Sequence, residues 1–292
     1  MSFLSHLING ISLGSVYAII ALGYTMVYGI AKMLNFAHGD VIMVGGFVTY
    51  TLMSTMGVNP WIAILAACAC CTVLGIVIEK VAYKPLRKAS SLAVLITAIG
   101  VSYLLQNIAL LIFGAAPKSF KSVVGIEMIK FGESGTITGE TIVTIPVCLI
   151  IMIVLNIFIN KSKTGRAMLA VSEDKDAAQL MGVNVNKTIS ITFAIGSALA
   201  AVASVLLFSA YPSLMPTSGS MPGIKAFVAA VFGGIGSIPG AMIGGILLGV
   251  IEILSRAYIS TQLADAIVFA VLILVLIIKP TGIMGKQIRE KV

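Results

Sequence analysis

Long apolar runs without a single charge fill most of this chain, and they constrain its fold more than any other feature. The runs cover residues 7–30, 41–56, 61–78, 92–113, 142–159, 189–211 and 226–251, with a shorter one at 266–278. About 20 helical residues cross a hydrocarbon core of roughly 30 Å, and in lipid the backbone has to satisfy its hydrogen bonds internally. The alternating pattern of a membrane β-barrel is absent. The sequence therefore predicts an all-α, polytopic helical membrane protein.

The net charge of +8 is concentrated in particular loops. Lys and Arg crowd the segments 79–91, 161–187 and 279–292, whereas 57–60 and 212–223 carry no charge. Loops rich in Lys and Arg face the cytoplasm, so we expect the N-terminus outside and the C-terminus inside. Because topology accounts for the charge, the sequence predicts no nucleic-acid partner.

The glycine-rich run at 226–251 has to enter the membrane and return if this orientation holds. Six crossings leave the chain outside at Pro212, and the last run must start outside to end inside. Ser237-Ile-Pro-Gly240 lies at the middle of the run, where a helix would break. We therefore predict one Gly/Pro-broken helical hairpin, either fully crossing or re-entrant, and eight or nine spans in total.

The sequence lacks the motifs of most enzyme classes. It has no Gly-x-x-x-x-Gly-Lys-Ser/Thr phosphate loop, and no nucleophile–base pair stands out. Gly234 and Gly236 resemble part of a dinucleotide fingerprint, but they follow an apolar helix and not a strand. The four Cys lie inside apolar runs, where packing is a stronger interpretation than a metal site. We predict no enzyme activity, no cofactor and no metal, and a single transmembrane domain over residues 1–292.

Polar residues close to the apolar runs are candidates for a transport pathway, because burying them in lipid is costly. The candidates are Asn35, His38 and Asp40 between the first two runs, Gln106 and Asn107 in the fourth, and Glu252, which is four residues before Arg256. Each group also has a structural interpretation. The first would be solvated at the interface, the second would form interhelical hydrogen bonds, and Glu252 would pair with Arg256 near the outer surface.

Glycines in the broken run form rows of small residues four apart. Gly236, Gly240 and Gly244 make one row, with Pro239 beside it, and such rows let helices approach closely. Packing within the chain is the first interpretation. Contact with a second subunit, or a surface that slides during gating, is the alternative.

One charged segment, at about 160–188, interrupts the apolar pattern. Helix-forming residues extend from Ala167 to Met181, and Gly182 is expected to end the helix. Gly165 and Gly182 would be flexible points on either side. A solvated surface helix is the simplest interpretation, and a helix that docks in a cleft of a cytosolic partner is the sharper one.

The string Asp176-Ala-Ala-x-x-x-Gly182 resembles the Glu-Ala-Ala-x-x-x-Gly signature of permeases in bacterial ABC importers, with Asp in place of Glu. The Ile-x-Leu-Pro that follows in the longer signature is absent here. The rest of the chain is similar to LivH-type permeases of branched-chain amino acid importers. The similar segments are 14–29, Asn35-Phe-Ala-His-Gly39, 95–102, 225–245 and 279–282.

This resemblance implies a heteromeric importer of the bacterial inner membrane. Its other parts would be a sister permease, two cytoplasmic ATPase subunits and a periplasmic binding protein that selects Leu, Ile and Val. The segment at 160–188 would be the coupling loop, with Arg166, Asp176, Ala177, Ala178 and Gly182 as the ATPase-coupling residues. We also expect specificity to lie chiefly in the binding protein, since the runs contain no obvious clamp for an amino acid.

A self-sufficient secondary carrier or channel is the alternative class. A carrier is expected to contain coupling-ion residues and two repeat halves with matching broken segments. Only one broken segment is evident in this sequence, which favours the importer subunit.

Overall fold

The computed structural model describes residues 3–87, 89–126, 128–131 and 135–285. Met1, Lys88, Lys286, Arg289 and Lys291, on which the predicted orientation also depends, lie outside the described residues. Within these ranges the helices are α1 Phe3–Ala31, α2 His38–Tyr50, α3 Pro60–Ile78, α4 Ser91–Phe113, α5 Gly139–Lys161, α6 Lys163–Glu173, α7 Lys175–Leu180, α8 Val185–Ala210, α9 Ser220–Gly233, α10 Ile238–Tyr258 and α11 Ala264–Ile278. Short π-helical turns extend α2 (Thr51–Thr55) and α3 (Glu79–Tyr83).

Six helices of the described chain are long and apolar enough to cross a membrane. They are α1, α3 with its π-helical turn, α4, α5, α8 and α10, while α9 and α11 are shorter apolar helices. The all-α membrane architecture predicted from the sequence is thus confirmed. The count of eight or nine spans stays a prediction.

Four short strands lie in the loops of the described chain, where the sequence analysis predicted no strand. Strands β2 (Ile129–Phe131) and β3 (Gly135–Ile137) form a hairpin, and β1 (Lys118–Ser119) pairs with β4 (Ser213–Leu214). The β1–β4 pair ties the loop after α4 to the end of α8. These strands are too short for a period-two pattern to be visible in the sequence.

Helix α1 is the central helix of the bundle. It packs against α5, α8, α9 and α10, and most of its residues are buried. Its glycines allow α10 to approach very closely. A Cβ atom on Gly14 would lie 2.6 Å from the Ile246 Cα, and one on Gly10 would lie 2.8 Å from the Val250 Cα. No side chain fits at these distances, so the contact depends on small residues.

Helices α3, α4 and α5 form the periphery. Leu111 on α4 is 86% exposed and Leu65 on α3 is 70% exposed. Such large apolar side chains would be costly in water, but they match a lipid environment. These faces therefore indicate where the bilayer surrounds the bundle.

Helices α9 and α10 run side by side in opposite directions, joined by a turn at residues 234–237. Gly234 and Gly236 have positive φ angles of 104° and 94°, which side chains rarely adopt. The Ser237 hydroxyl then caps α10 by accepting a hydrogen bond from the Gly240 N–H at 3.1 Å. The break therefore lies just before the predicted Ser237-Ile-Pro-Gly240, whose last three residues form the first turn of α10. Whether both helices cross the bilayer as a hairpin stays a prediction.

The basic loops meet at one end of the bundle, called the basic end below (residues 79–91 and 161–187 with the C-terminus of α1). The Arg87 guanidinium there contacts Glu79 and Asn186, and the Ser190 hydroxyl donates to Glu79 at 2.6 Å. The N-termini of α1 and α5 and the C-termini of α8 and α10 lie at the opposite end.

Candidate functional site

The charged segment at the basic end folds as two helices, and the single helix predicted over residues 167–181 is wrong. The Ser162 hydroxyl begins α6 by accepting from the Gly165 N–H at 2.8 Å. Asp174 then leaves the helical conformation, with φ −152° and ψ 117°, and its Oδ1 accepts from the N–H groups of Asp176 and Ala177. A short carboxylate side chain can compete in this way for backbone donors. Asp174 therefore ends α6 and begins α7.

Four of the five predicted coupling residues face outward. Arg166, Asp176, Ala177 and Gly182 are exposed, and Gly182 ends the segment with a φ of 82°. Ala178, in contrast, is only 4% exposed. Its side chain belongs to the core of this chain, so it anchors α7 and does not present a surface.

Two apolar side chains project from the end of α7. Leu180 is 88% exposed and Met181 is 84% exposed, next to the exposed Leu169 of α6. They lie at the basic end among charged residues, and not on the lipid-facing periphery. An apolar tip with a charged surround is a typical docking surface for another protein.

The segment is attached firmly to the bundle. The Lys175 ammonium donates a hydrogen bond of 2.9 Å to the Ala31 carbonyl oxygen, one of the carbonyls left free at the C-terminus of α1. Burial, and then the positive charges of Arg87 and Lys32, lower the pKa of Lys175. Gly165 packs directly against the backbone of Ile159 in α5, so it is a close contact and not the flexible point that was predicted. These contacts join α6 and α7 directly to α1 and α5.

A polar cluster within the bundle joins two of the predicted pathway residues. The Gln106 side-chain amide donates to Asp40 Oδ1 at 2.9 Å, and it lies 3.1 Å from the Ser220 hydroxyl and 3.2 Å from the Ser102 hydroxyl. Asp40 is 1% exposed. The cluster connects α2, α4 and the N-terminus of α9 by interhelical hydrogen bonds.

Asn35 and His38 are also buried, at 4% and 1% exposed. Asn35 accepts a hydrogen bond from the Tyr83 hydroxyl at 2.9 Å, and the His38 ring lies edge-on to the Tyr24 ring at 4.7 Å. The interpretation that Asn35, His38 and Asp40 are solvated at the interface is therefore wrong. Asn107 takes no part in this region, because it is exposed on α4 and donates to the Tyr103 carbonyl of its own helix.

Glu252 is the centre of a buried charged network, here called the Glu252 network (Tyr17, Lys225, Glu252, Arg256 and Asp265). Its Oε2 accepts from the Tyr17 hydroxyl at 2.9 Å, and its Oε1 accepts from Lys225 at 2.8 Å and also from Arg256. The Lys225 ammonium lies 2.6 Å from Asp265 Oδ1. Two positive and two negative groups thus neutralise one another. Glu252 is fully buried within the bundle, and its pairing with Arg256 is as predicted; its position near the outer membrane surface stays a prediction.

Lys225 and Asp265 were missed by the sequence reasoning, although a signal for Lys225 was available. Its side chain is 4% exposed at the edge of an apolar run, and an ionisable residue in such a place is rarely without a function or a partner. Asp265 is harder to recognise as part of a buried network, because its side chain is 43% exposed in the first turn of α11.

A cavity of ≈390 Å³ opens at the opposite end of the bundle, between α1, α5, α8 and α10. Its polar lining comes from His6, Asn9, Thr141, Tyr211 and Arg256, among others, and its apolar lining includes Leu13, Val16 and Ile253. None of the six predicted pathway residues borders it. It touches the Glu252 network only through Arg256.

The predicted glycine row serves packing within the chain. Gly240 lies against the backbone of Gly233, and Gly244 lies against Ala229 in α9. Pro239 is in the first turn of α10, and Gly236 is in the turn, where an added Cβ would meet nothing within 4 Å. The row therefore brings α9 and α10 together.

Comparison with known proteins gives matches over nearly the whole chain. The high-affinity branched-chain amino acid transport system permease protein LivH of Salmonella typhimurium is 46% identical over 301 residues, which cover 99% of this chain and 98% of that protein. The corresponding permease protein BraD of Pseudomonas aeruginosa is 45% identical, with the same shares covered. A probable branched-chain amino acid transport permease LivH of Methanocaldococcus jannaschii is 30% identical and covers 91% of this chain.

The family described as "Branched-chain amino acid transport system / permease component" matches residues 6–276. That range contains every helix from α2 to α10, the segment at the basic end, the polar cluster and the Glu252 network. A permease of this family is a transport subunit that works in a complex with other subunits. The chain belongs to the branched-chain amino acid transport system permease family and is a multi-pass membrane protein.

Proposed function

We propose that this chain is the permease subunit of an ATP-driven importer, and that it translocates Leu, Ile and Val delivered by a periplasmic binding protein. The observation that carries the proposal is the similarity to LivH and BraD over nearly the full length of all three chains. The sequence offers no phosphate loop of its own, which fits a transport subunit whose ATP hydrolysis takes place on other chains.

The proposed complex contains a sister permease and two cytoplasmic ATPase subunits in the bacterial inner membrane. The basic end faces the cytoplasm and the N-terminus of α1 faces outside, in agreement with the positive-inside rule. With α9 and α10 as a broken hairpin, the chain makes eight or nine spans. The single domain of residues 1–292 leaves ATP binding and substrate selection to the partners.

The surface that engages the ATPase is formed by α6 and α7. Leu180 and Met181 supply its apolar contact, while Arg166, Asp176 and Ala177 supply a polar surround. Ala178 keeps α7 in place and Gly182 lets the chain turn back towards α8. Closure of the ATPase subunits would move this segment, and the contacts of Lys175 and Gly165 would pass that movement to α1 and α5. Such coupling requires that the contacts differ between the two states of the bundle.

The buried polar groups are proposed to govern the pathway. Asp40 and Gln106 hold α2, α4 and α9 together in this state, with Asn35 and His38 beside them, and Glu252 holds α1, α9 and α10. Opening a path requires these helices to separate. Asn107 has the weakest support as a pathway residue, because it faces away from the cluster. The row Gly240–Gly244, with Gly236 and Pro239 at the turn, would allow α9 and α10 to shift without steric conflict.

The coupling proposal is tested by placing a charge on the apolar tip. Met181→Asp and Leu180→Asp should reduce both ATPase co-purification and leucine uptake at least tenfold, at matched abundance of the chain in the membrane. Met56→Asp is the matched control, because Met56 is 66% exposed at the opposite end. Wild-type uptake and co-purification in both tip variants would refute the assignment. ATP-independent uptake by the chain alone would instead support the secondary carrier.

A further inference from the structure

We infer that the cavity at the opposite end is a low-affinity site for a zwitterionic α-amino acid with an aliphatic side chain, and that the Arg256 guanidinium binds its carboxylate. This inference rests on the proposed function and names a substrate contact within the chain. It does not replace the binding protein as the chief source of specificity.

The size and the walls of the cavity suit a small amphipathic ligand. Its volume of ≈390 Å³ falls within the range of about 300–1,000 Å³ that is typical of small-molecule sites. Such sites combine apolar walls with a few convergent polar groups. Here Leu13, Val16 and Ile253 form an apolar wall, and the polar groups lie on α1, α5 and α10 around it.

Arg256 places a cationic side chain on the lining of the cavity. Among the described residues that line it, none is Asp or Glu, and Arg256 is the one carrying a permanent charge. Its partner Glu252 is fully buried and is shared with Lys225 and Tyr17. An anionic group that contacts the lining therefore meets a guanidinium and no carboxylate among the lining side chains.

The Arg256 guanidinium also has N–H groups available to donate hydrogen bonds to a ligand. A guanidinium has five N–H donors in a fork that matches a carboxylate. One terminal nitrogen of Arg256 is bonded to Glu252, and the Nε is buried without a partner in the described part of the chain. The side chain as a whole is 35% exposed and borders the cavity. Its terminal N–H groups that are not bonded to Glu252 can therefore donate to a second carboxylate.

The lining from α1 and α5 contains oxygen atoms that can accept hydrogen bonds from an ammonium group. The Asn9 carboxamide oxygen lies 3.5 Å from the Thr141 hydroxyl, and the Thr141 hydroxyl lies 3.0 Å from that of Thr138. Each of these oxygens has two lone pairs, so it can accept a further hydrogen bond. With the carboxylate at Arg256, a neighbouring ammonium would find acceptors here, and the aliphatic side chain would face Leu13 and Val16.

The direct test uses the assembled transporter, purified without the soluble binding protein and placed in lipid nanodiscs. Binding of labelled leucine is compared with competition by leucinamide, which keeps the ammonium and the side chain but has no carboxylate. We expect leucinamide to compete at least tenfold more weakly. Arg256→Gln should weaken leucine binding at least tenfold, and Arg256→Lys, which keeps the charge but not the fork, should lie between. Leu111→Ala, at a side chain that is 86% exposed on α4, should bind as wild type.

A second variant guards against a folding defect at Arg256. Ala210→Trp fills the cavity from its exposed wall and should abolish binding, whereas Ala69→Trp, on an exposed face of α3, should leave it unchanged. Equal competition by leucine and leucinamide, or unchanged binding in Arg256→Gln and Ala210→Trp, would overturn the inference. Uptake by the wild-type complex with its binding protein is measured in parallel. Normal uptake alongside such a result refutes the cavity site alone, while absence of branched-chain uptake refutes the proposed function.

Discussion

Replacement of Glu252 by Gln should be among the most destabilising single changes in the bundle. Glu252 is fully buried and accepts hydrogen bonds from Tyr17, Lys225 and Arg256. Glutamine has the same shape but no charge. The change therefore leaves the positive charges of Lys225 and Arg256 with the single carboxylate of Asp265, and the Lys225 ammonium, which is 4% exposed, gains little hydration in return.

The size of the effect follows from the burial of each partner. Removing one member of a buried ion pair costs about 3–5 kcal/mol. We expect the lower value, about 3 kcal/mol, because Lys225 keeps Asp265 and because Arg256 is partly exposed. At roughly 2 °C per kcal/mol for a large domain, the midpoint of thermal unfolding should fall by about 6 °C.

The assay is the thermal midpoint of the purified full-length chain in one detergent, measured by fluorescence-detected size exclusion. Asp265→Asn is the matched control, because it removes the partly exposed carboxylate of the same network. An exposed pair contributes about 0–1 kcal/mol, so this control should shift the midpoint by about 2 °C or less. The double variant Lys225→Met with Glu252→Gln removes one charge of each sign, and it should regain at least half of the loss.

Two results would refute this reasoning. One is a midpoint for Glu252→Gln no lower than that of Asp265→Asn. The other is a double variant less stable than either single variant, which would mean that Lys225 and Glu252 contribute independently and not as a neutralised pair.

Three further predictions concern packing, coupling and topology. Gly245→Leu should prevent stable folding, because an added Cβ would lie 2.5 Å from the backbone of α1. Gly100→Leu should be tolerated, because an added Cβ there would meet nothing within 4 Å. The measurement is the abundance of each variant in the membrane. Lys175→Met removes the hydrogen bond to the C-terminus of α1. It should reduce coupled uptake several-fold and lower the free energy of unfolding by about 1 kcal/mol. An unaltered ratio of uptake to ATP hydrolysis would contradict the proposed transmission. In intact cells, an impermeant thiol reagent should label Thr55→Cys but not Ser90→Cys in a background without native cysteines; labelling of the Ser90 variant would reverse the topology.

The class of the fold could be predicted from the sequence because its cause is local. A backbone in lipid has to form its hydrogen bonds within each segment, so an apolar run of sufficient length is a helix whatever surrounds it. The break at residues 234–237, directly before Pro239, is local for the same reason, since Pro and Gly act on the residues next to them. The family resemblance was also visible, because its motifs are contiguous strings such as Asn35-Phe-Ala-His-Gly39.

The candidate site was only partly predictable, because its contacts join distant parts of the chain. Asp176-Ala-Ala-x-x-x-Gly182 marked the segment at the basic end. The sequence did not indicate that Asp174 would turn its carboxylate onto the next N–H groups and divide the helix. It also did not indicate that Ala178 would face inward, since this depends on how α7 packs onto the bundle.

Apart from the pair of Glu252 and Arg256 on one helix face, the Glu252 network and the cavity were decided by the tertiary structure. Tyr17 and Glu252 are 235 residues apart, and they meet because glycines let α1 and α10 approach at backbone distance. Only then does Lys225 find Glu252 and Asp265 together, and only then does Arg256 reach a cavity formed by four helices. Hydropathy and charge along the chain determine that helices form and which loops stay in water. Which polar groups become partners depends on close packing between helices, and no local pattern encodes it.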